Sequence, residues 1–277
     1  MPRCPECGSD VARTDAFCTQ CGASLDDVDV GAVEEEASVP NDEDDGRLAF
    51  DGDPFDADVF EFSFKYPLAN GLGTIALATV LLLLSILIIP YFVFIGYSVR
   101  VGRAAAIGRA APPELGDWWG LLADGFRLFV AVAVLMVPAG AVYAALLLAD
   151  QVVLANLVYF PMLVAVAAIT PVFYGRGSVR EVYSDLRFLR FLTTSNFWIG
   201  VAYYLGISFV LYVAAFVLSI VFVITLIGIP VAFAIWLVFP AYFTLLQAAL
   251  WGRIYHDAAE EGVVDPVGRV DQLDTTW

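Results

Sequence analysis

The stretch 197-FWIGVAYYLGISFVLYVAAFVLSIVFVITLIGIPVAFAIWLVFPAYFTLLQAALW-251 runs for 55 residues without an Asp, Glu, Lys or Arg. One membrane-crossing helix takes about 20 apolar residues, so this run holds two. Thr225-Leu226-Ile227-Gly228-Ile229-Pro230 near its middle reads as the turn between them, because proline lacks the N–H a helix interior needs and glycine accepts conformations other residues avoid. Moving outward, Leu128–Tyr174 repeats the pattern, and its turn falls at Ala149-Asp150-Gln151. Gly71–Val99 is a third apolar block of 29 residues, broken at Ile88-Ile89-Pro90. Across the three blocks Asp150 is the one residue among Asp, Glu, Lys and Arg.

The chain is 60% hydrophobic and 16% charged, against roughly half and a quarter in soluble domains. The imbalance is regional. Residues 1–65 are polar and acidic, whereas 66–255 are mostly apolar, which separates a soluble head from a membrane body.

The first block reads either as one long kinked helix or as a shorter, shallower hairpin. The basic residues favour the hairpin. They stand before the first block (Lys65), after it (Arg100, Arg103, Arg109, Arg127), after the second (Arg176, Arg180, Arg187, Arg190) and after the third (Arg253). The turns at 149–151 and 225–229 carry none. With three hairpins every cation lies on one side, as the positive-inside tendency prefers. That side is then the cytoplasm of a multi-pass cell (plasma) membrane protein, with both termini cytoplasmic.

Ser85-Ile86-Leu87-Ile88-Ile89-Pro90 also matches Thr225–Pro230 in residue type, position by position. Each is followed by an apolar helix and a Gly-Arg pair, Gly102-Arg103 and Gly252-Arg253. This echo suggests that the first and third hairpins are related halves, a plan known in transporters.

All four cysteines lie in the head, as Cys4-Pro-Glu-Cys7-Gly8 and Cys18-Thr-Gln-Cys21-Gly22. Each C-x-x-C aims two sulfurs at one point, and four thiolates suit tetrahedral Zn²⁺ at about 2.3 Å. Rubredoxin-like iron or a redox pair is the competing chemistry. So small a module cannot bury a core, so the metal drives its folding. With four protein ligands the site has no open position for catalysis, which leaves a folded cap or a docking module for a protein partner. Only Arg3 and Arg13 accompany the motif and an acidic segment follows, so nucleic acid is disfavoured. Met1–Gly22 has no apolar core of the kind a secretory signal needs.

The expected organisation is a zinc ribbon at 1–24, a disordered acidic linker at 25–61, an integral membrane domain at 62–258 and a short polar tail at 259–277. The fold class is an all-α polytopic membrane protein, with about six membrane segments in three helical hairpins and a small N-terminal Cys4 zinc ribbon. The linker carries Glu34-Glu35-Glu36 and Asp42-Glu43-Asp44-Asp45 and cannot bury enough apolar area to offset its ordering entropy. Phe60, Phe62 and Phe64 mark its arrival at the membrane interface.

Net charge is −16 and Lys65 is the single lysine. Dense carboxylates with few lysines suit molar salt, where screening acts within about 3 Å, and this points to a halophilic, archaeal source. An acidic interaction tail is the alternative.

Two connections carry candidate sites. Asp117-Trp118-Trp119 reads as an interfacial helix, capped by Asp117 and anchored by its tryptophans, or as a ligand-binding loop. Over Val179–Leu192, Val179, Val182, Leu186 and Leu189 form one helical stripe. Beside it Arg176, Arg180, Arg187 and Arg190 fall within roughly 80°. A helix lying on anionic lipid has this pattern, as do topology-setting arginines or an anion site. Arg100 and Arg103 join this interface set.

The segments 64-FKYPLANG-71, 96-GYSVRVGRAAAIG-108, 112-PPELGDWWGLLADGFR-127 and 246-LQAALWGRIYHDA-258 resemble a family of prokaryotic integral membrane proteins. That family is abundant in haloarchaea and known only as a domain of unknown function. The resemblance covers about residues 60–258 and implies the architecture without an activity.

For function, the one histidine, His256, stands beside Asp257 and reads as a surface residue. No nucleophile–base pair is evident in the body, so an enzyme is disfavoured. A transporter is favoured by the segment count and by prolines 90, 138, 161, 171, 230 and 240, which either break helices or merely kink packed ones. It is disfavoured by the lack of intramembrane charge. A structural, assembly or regulatory membrane component that recruits a partner through the ribbon is the leading reading.

Overall fold

The computed structural model describes residues 50, 54–224, 228–265 and 267. The chain divides into two compact units, Met1–Asp45 and Gly46–Trp277. The four cysteines and the linker to residue 49 lie outside the described residues. The second unit contains α1 (Val59–Lys65), α2 (Leu72–Leu83), α3 (Ile89–Ala106), α4 (Trp118–Leu148), α5 (Val152–Arg176), α6 (Val179–Tyr183), α7 (Arg187–Leu192), α8 (Ser195–Ile224) and α9 (Ile229–Glu260). Among the described residues there is no strand.

Four helices, α4, α5, α8 and α9, are long and apolar enough to cross a membrane. The count becomes five if the bent pair Val59–Leu68 and Leu72–Leu87, at 81°, is one span.

Each helix boundary has a local cause. The Asp117 carboxylate accepts the Gly120 N–H at 3.2 Å and caps α4, satisfying one of the donors a helix start leaves open. The expected interfacial helix is therefore the first turns of α4 itself, which continues to Leu148. The α4–α5 turn falls at Ala149–Gln151 as read from the sequence, with Asp150 at φ 60°. Asp tolerates this left-handed region better than most residues. Gly177 ends α5 at φ 69°.

Between α2 and α3 the chain passes through a tight 3-10 turn, Leu84–Leu87, and then Ile88 at φ 64°. That conformation is strained for a β-branched residue. Pro90 follows in the first turn of α3, where its missing N–H costs nothing. The chain reverses here. The Asn70 amide, before α2, donates to the carbonyls of Pro112 (2.8 Å) and Pro113 (3.1 Å), beyond α3.

Three expectations differ from the structure. First, the linker does not stay irregular to residue 61. Pro54–Asp56 forms a 3-10 turn and α1 begins at Val59, capped by Asp58. The cause is burial: Phe62 is fully buried and Phe55 packs against it at 5.0 Å. Second, Val179–Leu192 is not one amphipathic helix. It breaks at Asp185 (φ 54°) and Leu186 (φ 51°). Ser184 and Asp185 compete with helical bonding, and the Ser184 hydroxyl donates to the Glu181 carbonyl at 2.9 Å. The break changes which residues face inward: Val182, Phe188 and Phe191 are buried, while Leu186 and Leu189 are exposed. Third, of the two readings of the prolines the helix-breaking one fails: Pro138, Pro161, Pro171 and Pro240 lie inside continuous helices. They do not break them, as neighbouring polar groups can absorb the freed backbone.

α3 sits centrally, packed on α4 and α9; α4 packs on α5, α8 on α9, and α1 and α2 run along α9. Glycine lets two of these helix pairs touch. A Cβ at Gly96 would collide with the Leu121 carbonyl of α4, and one at Gly125 with the Phe92 carbonyl of α3. A Cβ at Gly252 of α9 would collide with the Gly102 carbonyl of α3. Close backbone approach through small residues is how helices associate where water gives no driving force.

The dense core lies at the end where these crossings meet. It contains Phe62, Tyr66, Tyr97, Phe173, Phe197 and Tyr255, all nearly inaccessible. The opposite end is open and apolar, with Ile86 86%, Leu148 90% and Ile224 78% exposed.

Candidate functional site

The arginines read from the sequence gather at the densely packed end but divide among three settings. Arg100 is held by two carboxylates, Asp124 at 2.8 Å and Asp117 at 2.9 Å, and Asp124 also receives Arg127 at 3.2 Å. Arg100 and the Gly120 N–H hold the Asp117 carboxyl below its ordinary range. This network ties α3 to the start of α4 and is structural. Trp118 and Trp119, beside it, are exposed, Trp119 at 83%, as interfacial anchors are.

In the second setting, Arg103 reaches the end of α5. A Cβ at Gly177 would come within 2.8 Å of its guanidinium. On α9 the echo residue Arg253 lies over Phe55 at 4.7 Å, donates to the Phe55 carbonyl at 2.7 Å and pairs with Asp257 at 3.0 Å. Both Gly-Arg pairs therefore use the glycine for a helix crossing and the arginine to hold an adjoining segment. His256 is half-buried, with Nδ1 3.2 Å from the Ala106 carbonyl and Nε2 3.4 Å from Glu260.

The third setting is a cavity of about 460 Å³ lined by Arg176 from the end of α5, Arg187 and Arg190 from α7, and Tyr255 from α9. Three of the four arginines of the expected stripe meet here. Arg180 does not: it is on α6, is exposed and does not line the cavity. The break at Asp185 is what allows α7 to fold back and bring Arg187 and Arg190 to Arg176.

Sequence reading missed the segment after α9. Gly262, at φ 70°, ends that helix; its N–H donates to Ala259 and the Val263 N–H to Ala258 at 2.9 Å. This is the bonding of a Schellman cap. The turn carries Asp265 over the cavity. There its carboxylate bonds Arg176 and lies 3.6 Å from Arg187, and its carbonyl accepts from the Tyr255 hydroxyl at 3.3 Å. Gly262 just past a helix was the available signal. The contact with Arg176, 89 residues away, had none.

Fold and site together define a helical protein of multi-pass membrane type, whose polar groups are concentrated at one end of an apolar body. Residues 83–256, well over half the chain, match the family described as "Protein of unknown function (DUF4013)", and the chain belongs to that family. Residues 3–25 match a zinc-ribbon domain. No curated protein and no solved structure is detectably similar to it. Cys4, Cys7, Cys18 and Cys21 all fall within the zinc-ribbon match, and four thiolates at this spacing are a donor set that fits Zn²⁺.

Proposed function

We propose that this protein is a structural, assembly or regulatory component of the cell membrane, whose zinc ribbon recruits a protein partner to the bilayer. Cys4, Cys7, Cys18 and Cys21 hold one structural Zn²⁺. Both termini are cytoplasmic, and α4–α5 and α8–α9 cross as two hairpins. The α2–α3 pair enters and leaves from the cytoplasmic side as a third, shallow hairpin, which completes six membrane segments. The body acts as anchor and platform, and it is not an enzyme.

The observation that carries this reading is the division of the chain. A zinc-ribbon match at residues 3–25 lies in one unit and the membrane-type body forms another. The body's own polar contacts support a platform: Arg100, Arg103 and Arg253 each brace neighbouring segments. The continuity of the helices at Pro138, Pro161, Pro171 and Pro240 weakens the transporter alternative, whose substrate would be an uncharged or anionic solute.

The test is purification from native membranes beside a Cys18→Ser, Cys21→Ser variant, with zinc measured in both. One zinc per chain in the wild type, its loss in the variant, and a protein partner that disappears with it support recruitment. If every co-purifying protein stays with the zinc-free variant, recruitment by the ribbon is wrong, and solute flux becomes the property to measure.

A further inference from the structure

We propose that the cavity between the ends of α5, α7 and α9 is a binding site for a phosphate group, and that Asp265 occupies it as a displaceable internal substitute. This inference rests on the body alone and is independent of the ribbon's role.

Arg176 is the anchor. Its side chain is only 14% exposed, and its Nε is buried without a hydrogen-bond partner. A buried guanidinium is costly unless charge and hydrogen bonds compensate it. Here the compensation comes from Asp265, itself 58% exposed on a segment beyond the last helix. Arg187 shares that carboxylate at 3.6 Å and reaches Asp185 at 3.9 Å, beyond hydrogen-bonding distance. Arg190 lines the same cavity, and among the described residues its guanidinium makes no ion pair or hydrogen bond.

Three guanidiniums thus face two carboxylates, Asp185 and Asp265. Glu181 acts on Tyr255 electrostatically but does not line the cavity. With Asp265 withdrawn, two positive charges are left over. That matches a phosphate monoester, which carries about −1.5 to −2 near neutral pH, better than it matches a carboxylate. Planar guanidiniums are suited to bidentate contact with phosphate.

Asp265 is easily displaced. Its side chain is 58% exposed, so the carboxylate can rotate off Arg176 while Val264 and Val267 keep the segment packed on the core and its carbonyl stays on Tyr255 of α9. The phosphate can come from a lipid headgroup or from the cytoplasm. Leu186, just before α7, Leu189 on it and Trp198 at the start of α8 are exposed, the arrangement expected at an interfacial layer.

The test uses the full chain in nanodiscs. Inorganic phosphate binding is measured by calorimetry, and retention of phosphatidic acid against phosphatidylcholine by native mass spectrometry. Wild type is expected to bind at least one phosphate probe. Asp265→Asn should bind about fivefold more tightly, the scale of removing a partly exposed ion pair. Arg187→Gln and Arg190→Gln should each weaken binding by about tenfold, the scale of one charged hydrogen bond. Because Arg176→Gln risks disturbing the fold, the two α7 variants carry the test, with thermal unfolding as the check on integrity. Preference for phosphatidic acid assigns a lipid source, and binding of free phosphate a soluble one; either supports the site. No binding of either probe by wild type and Asp265→Asn overturns the proposal, as does binding unchanged in both α7 variants.

Discussion

The α2–α3 and α8–α9 pairs share a signature yet have different reach. Both carry a Ser/Thr-x-x-x-Ile-Pro sequence, and both end on Gly-Arg. Pro90 and Gly102 are 12 residues apart, whereas Pro230 and Gly252 are 22 apart. At 1.5 Å per residue these are about 18 and 33 Å, against a hydrocarbon core of about 30 Å. The two pairs meet where Gly252 abuts Gly102, so their bases are level while their turns are not. The two pairs thus share a sequence signature and differ in the length between its two parts. The short pair ends in the exposed apolar turn Ile86–Ile89, which suits burial within the bilayer.

The largest expected effect is at the shared base. Gly252→Ala places a methyl against the Gly102 backbone, which has no side chain to move aside. It should destabilise the protein by about 3 kcal/mol or more, measured by thermal unfolding in detergent. Gly206→Ala, with open space around it, should have little effect. Equal, small losses in both would mean that the glycine crossing does not hold the pairs together.

The next test separates the depths. If the α2–α3 turn lies in hydrocarbon, Ile86→Lys should cost about 3 kcal/mol. A cysteine at 86 should then resist membrane-impermeant maleimide from both sides, whereas a cysteine at 150 should react. Ready labelling at 86 would place that turn in water and make the first block a full span.

A smaller effect is expected at the Arg100 brace of the short pair. Asp124→Asn removes the carboxylate shared by Arg100 and Arg127, and should cost about 2 kcal/mol in the same unfolding assay. The smallest effect is a pH dependence. Asp117 has a carboxyl pKa lowered mainly by Arg100, so it binds its proton less readily folded than unfolded. Its contribution is present above the unfolded value of about 4 and is lost as pH falls through the lower folded value. The stability difference between wild type and Asp117→Asn should therefore shrink as pH is lowered from 6 to 3. A difference that persists unchanged at pH 3 would mean that the Arg100 contact is unimportant.

The sequence was informative where one physical rule dominates. Uninterrupted apolar runs mark α4, α5, α8 and α9, and proline, glycine and Asp150 mark their turns, because lipid tolerates few alternatives. The Cys4 motif was equally legible, since metal geometry dictates its spacing. Legibility failed where several weak preferences compete. Over residues 179–192 the periodicity favoured one helix, but burial of Val182, Phe188 and Phe191 together with the turn at Ser184-Asp185 divided it. Phe62 and Phe55 likewise drew the end of an acidic segment into order.

The sequence by itself determined that this is a helical protein of membrane type with a zinc-ribbon motif at its start, because hydrophobic run length and ligand spacing are one-dimensional properties. Only the tertiary structure decided which glycines are crossings, which arginines are braces, and which three share a cavity with Asp265. Those facts depend on residues far apart in the chain reaching the same point, and no local preference records such distances.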